Sequence, residues 1–110
     1  MPAAATTTAT SATGGARLRL SVEDLDQAAP GRAAFDRLRS RLGGGRRITG
    51  VASFGFPAFE TNGGNVVFLK DHKTLWVDAS GVPRAALPPG ISRVGAAYGV
   101  ASAVIACWTE

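Results

Sequence analysis

Acid–base or nucleophilic chemistry in this chain would have to be built on one histidine, His72, and one cysteine, Cys107. His72 falls in the short connection Asp71-His72-Lys73 between two apolar runs, with Lys70 alongside, and reads as a solvated turn residue. A catalytic triad needs the imidazole within reach of both a nucleophile and a carboxylate, and no nucleophile is identifiable near His72. A metal site would need Asp71, Asp78 or Glu60 to converge on it, and no ligand spacing supports that. Cys107 stands in an uncharged run with no cation beside it to stabilise a thiolate, and reads as a small buried hydrophobe. One thiol forms no internal disulfide and no cysteine-based zinc site. The sequence therefore predicts no catalytic residue, no metal ligand and no cofactor. An enzyme assembled from His72 with Asp71 or Asp78 ranks third among the functional readings.

Phosphate chemistry is the next candidate. Gly43-Gly44-Gly45-Arg46-Arg47 offers a pliable backbone and two cations. It lacks the Lys-Ser/Thr pair of a P-loop and leads from a helix into a strand, which reverses the P-loop order. Among the acids, Asp24 and Asp26 are not helical neighbours, and Asp71 and Asp78 sit at opposite ends of a short strand.

The surface signal with most specificity is a basic stripe. Net charge is +4, and ten of the twelve basic residues are arginine. Six of those arginines lie within residues 32–47, against Asp36 alone. An arginine fork suits bidentate contact with phosphate or carboxylate, although a GC-rich coding sequence produces the same bias. The stripe reads first as a solvated helix face. Its functional reading is a surface for an acidic partner or for nucleic acid, carried by Arg37, Arg41, Arg46 and Arg47. The aromatic residues that would stack on bases, Phe54, Phe56, Phe59, Phe68 and Trp76, fall on predicted strands that need them for the core.

The elements that must position these residues come from 110 residues, 45% of them apolar, enough for one small core. Residues 1–16, MPAAATTTATSATGGA, hold no charge and no aliphatic residue beyond alanine after Met1. They read as a disordered Ala/Thr-rich tail ahead of a single domain over 17–110. They lack the basic start and leucine-rich stretch of a secretory signal. The expected location is cytoplasmic, with organelle import as the minor alternative.

Ser21, with Asp24 three residues on and Leu20 and Leu25 flanking, has the form of a capping box with a hydrophobic staple, which predicts a helix start. Pro30-Gly31 should break that helix. Helical spacing resumes with Phe35, Leu38 and Leu42 and ends at Gly43 in a left-handed turn. An imperfect period of two from Ile48 to Phe56 predicts a strand that Pro57 should end. After the Thr61–Asn65 turn, Asn65–Lys70 and Thr74–Asp78 complete a three-stranded antiparallel meander. Leu75 and Trp76 point to opposite sides of their strand, so both sheet faces should be covered.

From Val94 to Trp108 no residue is charged, yet the run is short of the ~20 residues of a membrane span. It predicts a buried helix with Ser92 as its cap. Gly95, Gly99, Ala103 and Cys107 recur at intervals of four, and such rows let another backbone come close. Packing on the protein's own sheet is the first reading of that row, and self-association through Gly95, Gly99 and Ala103 the second.

The pattern thus predicts an α+β fold: an N-terminal helical segment broken at Pro30-Gly31, a three-stranded antiparallel meander, and a C-terminal helix packed on the sheet. A sheet so small leaves a face or an edge to be completed by a partner. The expected function is a non-enzymatic protein-interaction module or accessory subunit of a larger assembly, bound to another protein or to itself. Nucleic-acid binding is the alternative.

Overall fold

The computed structural model describes residues 5–13, 16–24 and 27–108. They form an α+β fold with an antiparallel sheet between two helices, α1 (Ala28–Arg41) and α2 (Arg93–Trp108). The strands are β1 (Ala5–Thr13), β2 (Ala16–Asp24), β3 (Arg46–Arg47), β4 (Ala58–Thr61), β5 (Asn65–Lys70) and β6 (Lys73–Asp78), in the order β1-β2-β6-β5-β4-β3. Of the predicted meander, Asn65–Lys70 and Thr74–Asp78 are present as β5 and β6, its remaining strand is β4, after Pro57 rather than before it, and the sheet is wider than three strands.

β5 and β6 explain why helices cover both faces. Their side chains alternate in direction, and both directions are apolar. Val66, Phe68, Leu75 and Val77 face Ala97, Ala101 and Ile105 of α2, whereas Val67, Leu69 and Trp76 face Phe35 and Leu38 of α1. Trp76 is half-buried, and its Nε1 donates to Asn65 Oδ1 at 2.8 Å. Both faces are covered from within the chain.

Four expectations need correction. The Ser21 capping box does not start a helix, because residues 16–24 are β2. Leu18, Leu20 and Val22 alternate with Arg19, Ser21 and Glu23, and the apolar set packs on the α2 side of the core. Pairing Val22 with Leu75 and Leu20 with Val77 gives those residues burial that an isolated helix start could not. Leu25 and Asp26 lie outside the described residues.

Pro30 does not break a helix either. It occupies the first turn of α1, where its missing N–H would have no intrahelical acceptor. The far end of α1 is as expected. Gly43 is left-handed at φ +88°, and Gly43 N–H and Gly44 N–H bond back to the Ser40 and Arg39 carbonyls, a Schellman closure.

Pro57 precedes a strand rather than ending one. Of the stretch before it only Arg46–Arg47 pairs as a strand, and Gly50–Ser53 is a 3-10 turn capped by left-handed Phe54. β4 begins at Ala58, and the Pro57 carbonyl accepts from Leu69 N–H at 2.8 Å.

Part of the expected N-terminal tail is also placed differently. Ala5–Thr13 runs as the edge strand β1 along β2, while residues 1–4 and 14–15 lie outside the described residues. Threonine favours the extended chain, and the free edge of β2 is a template for it. The sequence of β1 is only Ala, Thr and Ser, so it brings no large apolar side chain to the fold. Deleting residues 1–13 should lower the melting temperature by no more than about 5 °C, followed by far-UV circular dichroism. A larger drop would show that β1 is part of the cooperative unit.

Candidate functional site

Helix α2 presents the surface least like an ordinary solvated one. Ser92 caps it, accepting from Gly95 N–H through Oγ at 3.0 Å. Ala97, Ala101 and Ile105 recur at intervals of four and are fully buried on the sheet, with Tyr98, Val104 and Trp108 packed around them. Tyr98 Oη donates to the Ala52 carbonyl at 2.8 Å, which ties the helix to the 3-10 turn.

The small-residue row lies on the other side. Gly95, Gly99, Ala103 and Cys107 are all exposed. Each follows a member of the buried row, or its continuation, by two residues in the helix, a rotation of about 200°. The flanking side chains of the Ala97 row are larger, and burial stabilises in proportion to apolar area, so that row faces the sheet. The first reading of the glycine row, close packing on the protein's own sheet, is therefore corrected, as is the buried placement of Cys107. A Cβ built on Gly99 would meet nothing within 4 Å.

The four arginines singled out in the sequence do not share a surface. Arg37 and Arg41 border a groove beside β2 and β6, with Ser21, Glu23 and Trp76. Arg47 pairs with Phe59 and lies on the α1 side of the sheet, across α1 from that groove, where it borders a cleft with Arg32 and Arg39. Arg46 is its neighbour in an extended strand and faces the opposite way, toward Glu60, whose Oε2 lies 3.7 Å from Arg46 Nη2. Sequence reasoning counted Arg32 and Arg39 in the stripe without assigning them a role. Their spacing of seven, two helical turns, was the available signal that they share a face.

His72 is not a freely solvated turn residue. Its Nδ1 lies 2.5 Å from Asp24 Oδ1, with the two side chains 33% and 24% exposed. The contact fastens the end of β2 to the β5–β6 turn. Gly31 of α1 packs over the same turn so closely that a Cβ there would sit 2.8 Å from His72 Cα. Asp71 takes the left-handed conformation that the turn requires, at φ 57°. Among the described residues no group of three or more His, Cys, Asp or Glu could hold a metal ion, and no helix is long and apolar enough to cross a membrane. Set against known proteins, the chain matches no family model, no curated protein and no solved structure.

Proposed function

We propose that this protein is a non-enzymatic interaction module that works by assembling with a second copy of itself through the outer face of α2. The observation that carries this reading is that α2 bears no charge from Val94 to Trp108, yet buries only one side on its own sheet. A helix solvated on one side ordinarily carries charged residues there, and one without them is ordinarily enclosed. Gly99 adds to the argument. A helical glycine costs up to ~1 kcal/mol relative to alanine, and nothing within the chain occupies the space above it. A neighbouring helix backbone would use that space.

Charge favours a second copy as the occupant. Two chains of +4 repel wherever their arginines face each other, and the outer face of α2 is where they can meet without that cost. A two-fold contact also requires a self-complementary patch, which a row of small uncharged residues provides. Ile91, 45% exposed beside Gly95, extends the apolar strip at its start.

Light scattering coupled to size exclusion tests the proposal. The wild-type chain should have the mass of a dimer at about 100 μM, and Gly99→Glu should have that of a monomer while keeping its helical circular dichroism. The substituted carboxylate has open space in the lone chain and is a better helix former than glycine, so folding survives. A monomeric wild type at that concentration, or a Gly99→Glu dimer, would overturn the reading.

A further inference from the structure

We propose that the cleft between α1 and the Arg47–Pro57 segment is a binding site for a small phosphomonoester with an apolar body. The inference does not depend on self-association, since the cleft opens at the sheet edge beside α1 and no residue of α2 lines it. The cleft encloses about 410 Å³, within the range of small-ligand sites. Its cations are Arg32 and Arg39, seven apart on one side of α1, and Arg47 on the sheet edge. Asp36 is the carboxylate among its lining residues, and it is already engaged by Arg32, with Nε 3.3 Å from Oδ1.

Arg39 is the least satisfied of the three. Its Nε is buried with no hydrogen-bond partner among the described residues, and its Nη2 reaches only the Gly45 carbonyl, at 3.5 Å. A guanidinium N–H left without an acceptor away from water is costly, and an anion seated in the cleft would supply acceptors to its fork. Arg47 is exposed and lines the opening of the cleft. Phosphate accepts such forks bidentately.

Charge and shape narrow the ligand class. Three guanidinium groups against one carboxylate leave the cleft at +2, which matches a phosphomonoester, of charge about −1.5 to −2 at neutral pH, better than a monocarboxylate. The walls supplied by Ile48, Phe56 and Pro57 suit an apolar or aromatic body attached to the phosphate. A long polyanion is disfavoured, because Arg37, Arg41 and Arg46 lie outside the cleft and form no track leading from it.

Isothermal titration calorimetry with phenyl phosphate, inorganic phosphate, benzoate and a single-stranded oligouridylate tests the site. Phenyl phosphate should saturate one site per chain with sub-millimolar affinity, about tenfold or more tighter than inorganic phosphate or benzoate. Arg47→Gln, on an exposed side chain, should weaken phenyl phosphate about tenfold or more through loss of a charge-assisted bond. Arg41→Gln, on the far side of α1, removes the same charge and should change affinity less than about twofold. Absence of saturation by about 10 mM phenyl phosphate overturns the proposal. Equal losses in the two variants also overturn it, since they would reveal attraction to net charge alone. Tight oligouridylate binding with no phenyl phosphate binding would replace the pocket with a nucleic-acid surface.

Discussion

Replacing Phe68 with alanine should cost this protein about 3–5 kcal/mol, a large share of the roughly 5–15 kcal/mol that holds a domain folded. Phe68 is fully buried at the centre of β5, in register with Ala58 of β4 on one side and Leu75 of β6 on the other. Its ring lies between Phe54 and Tyr98, with centroids 6.3 and 6.5 Å away. Above it, α2 contributes Ala97 and Ala101 to the interface, and neither has a side chain that could move into a vacated ring volume. The sheet below is fixed by its ladder, so the void should persist. Urea unfolding should show a lower midpoint at an unchanged slope. A loss below about 2 kcal/mol would mean that α2 settles onto the sheet and closes the void. Trp76→Ala makes the useful contrast, since Trp76 is only half-buried and should cost less despite its larger side chain.

The elements around Phe68 were the most legible part of the sequence. Asn65–Lys70 and the strand opposite are short runs with large apolar residues of both parities, separated by a turn whose Asp71 tolerates a left-handed conformation. Such a run needs no distant information to be read as a strand covered on both faces. Residues 16–24 needed that information. Ser21, Asp24 and Leu20 satisfy a helix-start pattern locally, and the competing alternation of Leu18, Leu20 and Val22 gains its advantage only from β6, about fifty residues away. The two prolines illustrate a different limit. Pro30 and Pro57 each mark an element boundary, but the absent N–H is equally compatible with an end and a beginning. In both cases an element begins.

The candidate surfaces were legible as patterns but not as directions. Intervals of four revealed the Gly95–Gly99–Ala103 row on one side of α2. The row of Ala97, Ala101 and Ile105 has the same spacing, and only the larger neighbours of the second row tell which one the sheet takes. The arginine stripe scattered for a reason visible in advance. Arg37 and Arg41 sit one helical turn apart and stay together, whereas Arg46 and Arg47 are consecutive in an extended chain and must diverge. What no local pattern could show is that the chain after Arg47 turns toward α2, where Tyr98 donates to the Ala52 carbonyl and Ile48 and Phe56 join that side of the core, because the 3-10 turn and left-handed Phe54 interrupt the strand expected there.

Gly64→Ala should be among the most damaging single-methyl changes at a turn, costing about 3–4 kcal/mol, because backbone strain and crowding act at the same site. Gly64 has φ +110°, outside the ordinary range of an L side chain, and a Cβ there would lie 2.9 Å from Arg93 Cβ and 3.2 Å from both Ala79 C and Ser80 N. The neighbours have little room to give. The Gly64 carbonyl accepts from Ala79 N–H at 2.8 Å, and Arg93 is held by its Nε donating to the Val82 carbonyl at 2.7 Å. Gly43 separates the two causes. Its φ of +88° carries a similar strain, but a Cβ there meets nothing within 4 Å, so Gly43→Ala should cost only about 1 kcal/mol. The difference between the two urea midpoints then measures the crowding where the β4–β5 turn, the segment after β6 and the start of α2 converge. Equal midpoints would mean that Arg93 moves aside, and that the start of α2 is held to the sheet less firmly than its hydrogen bonds indicate.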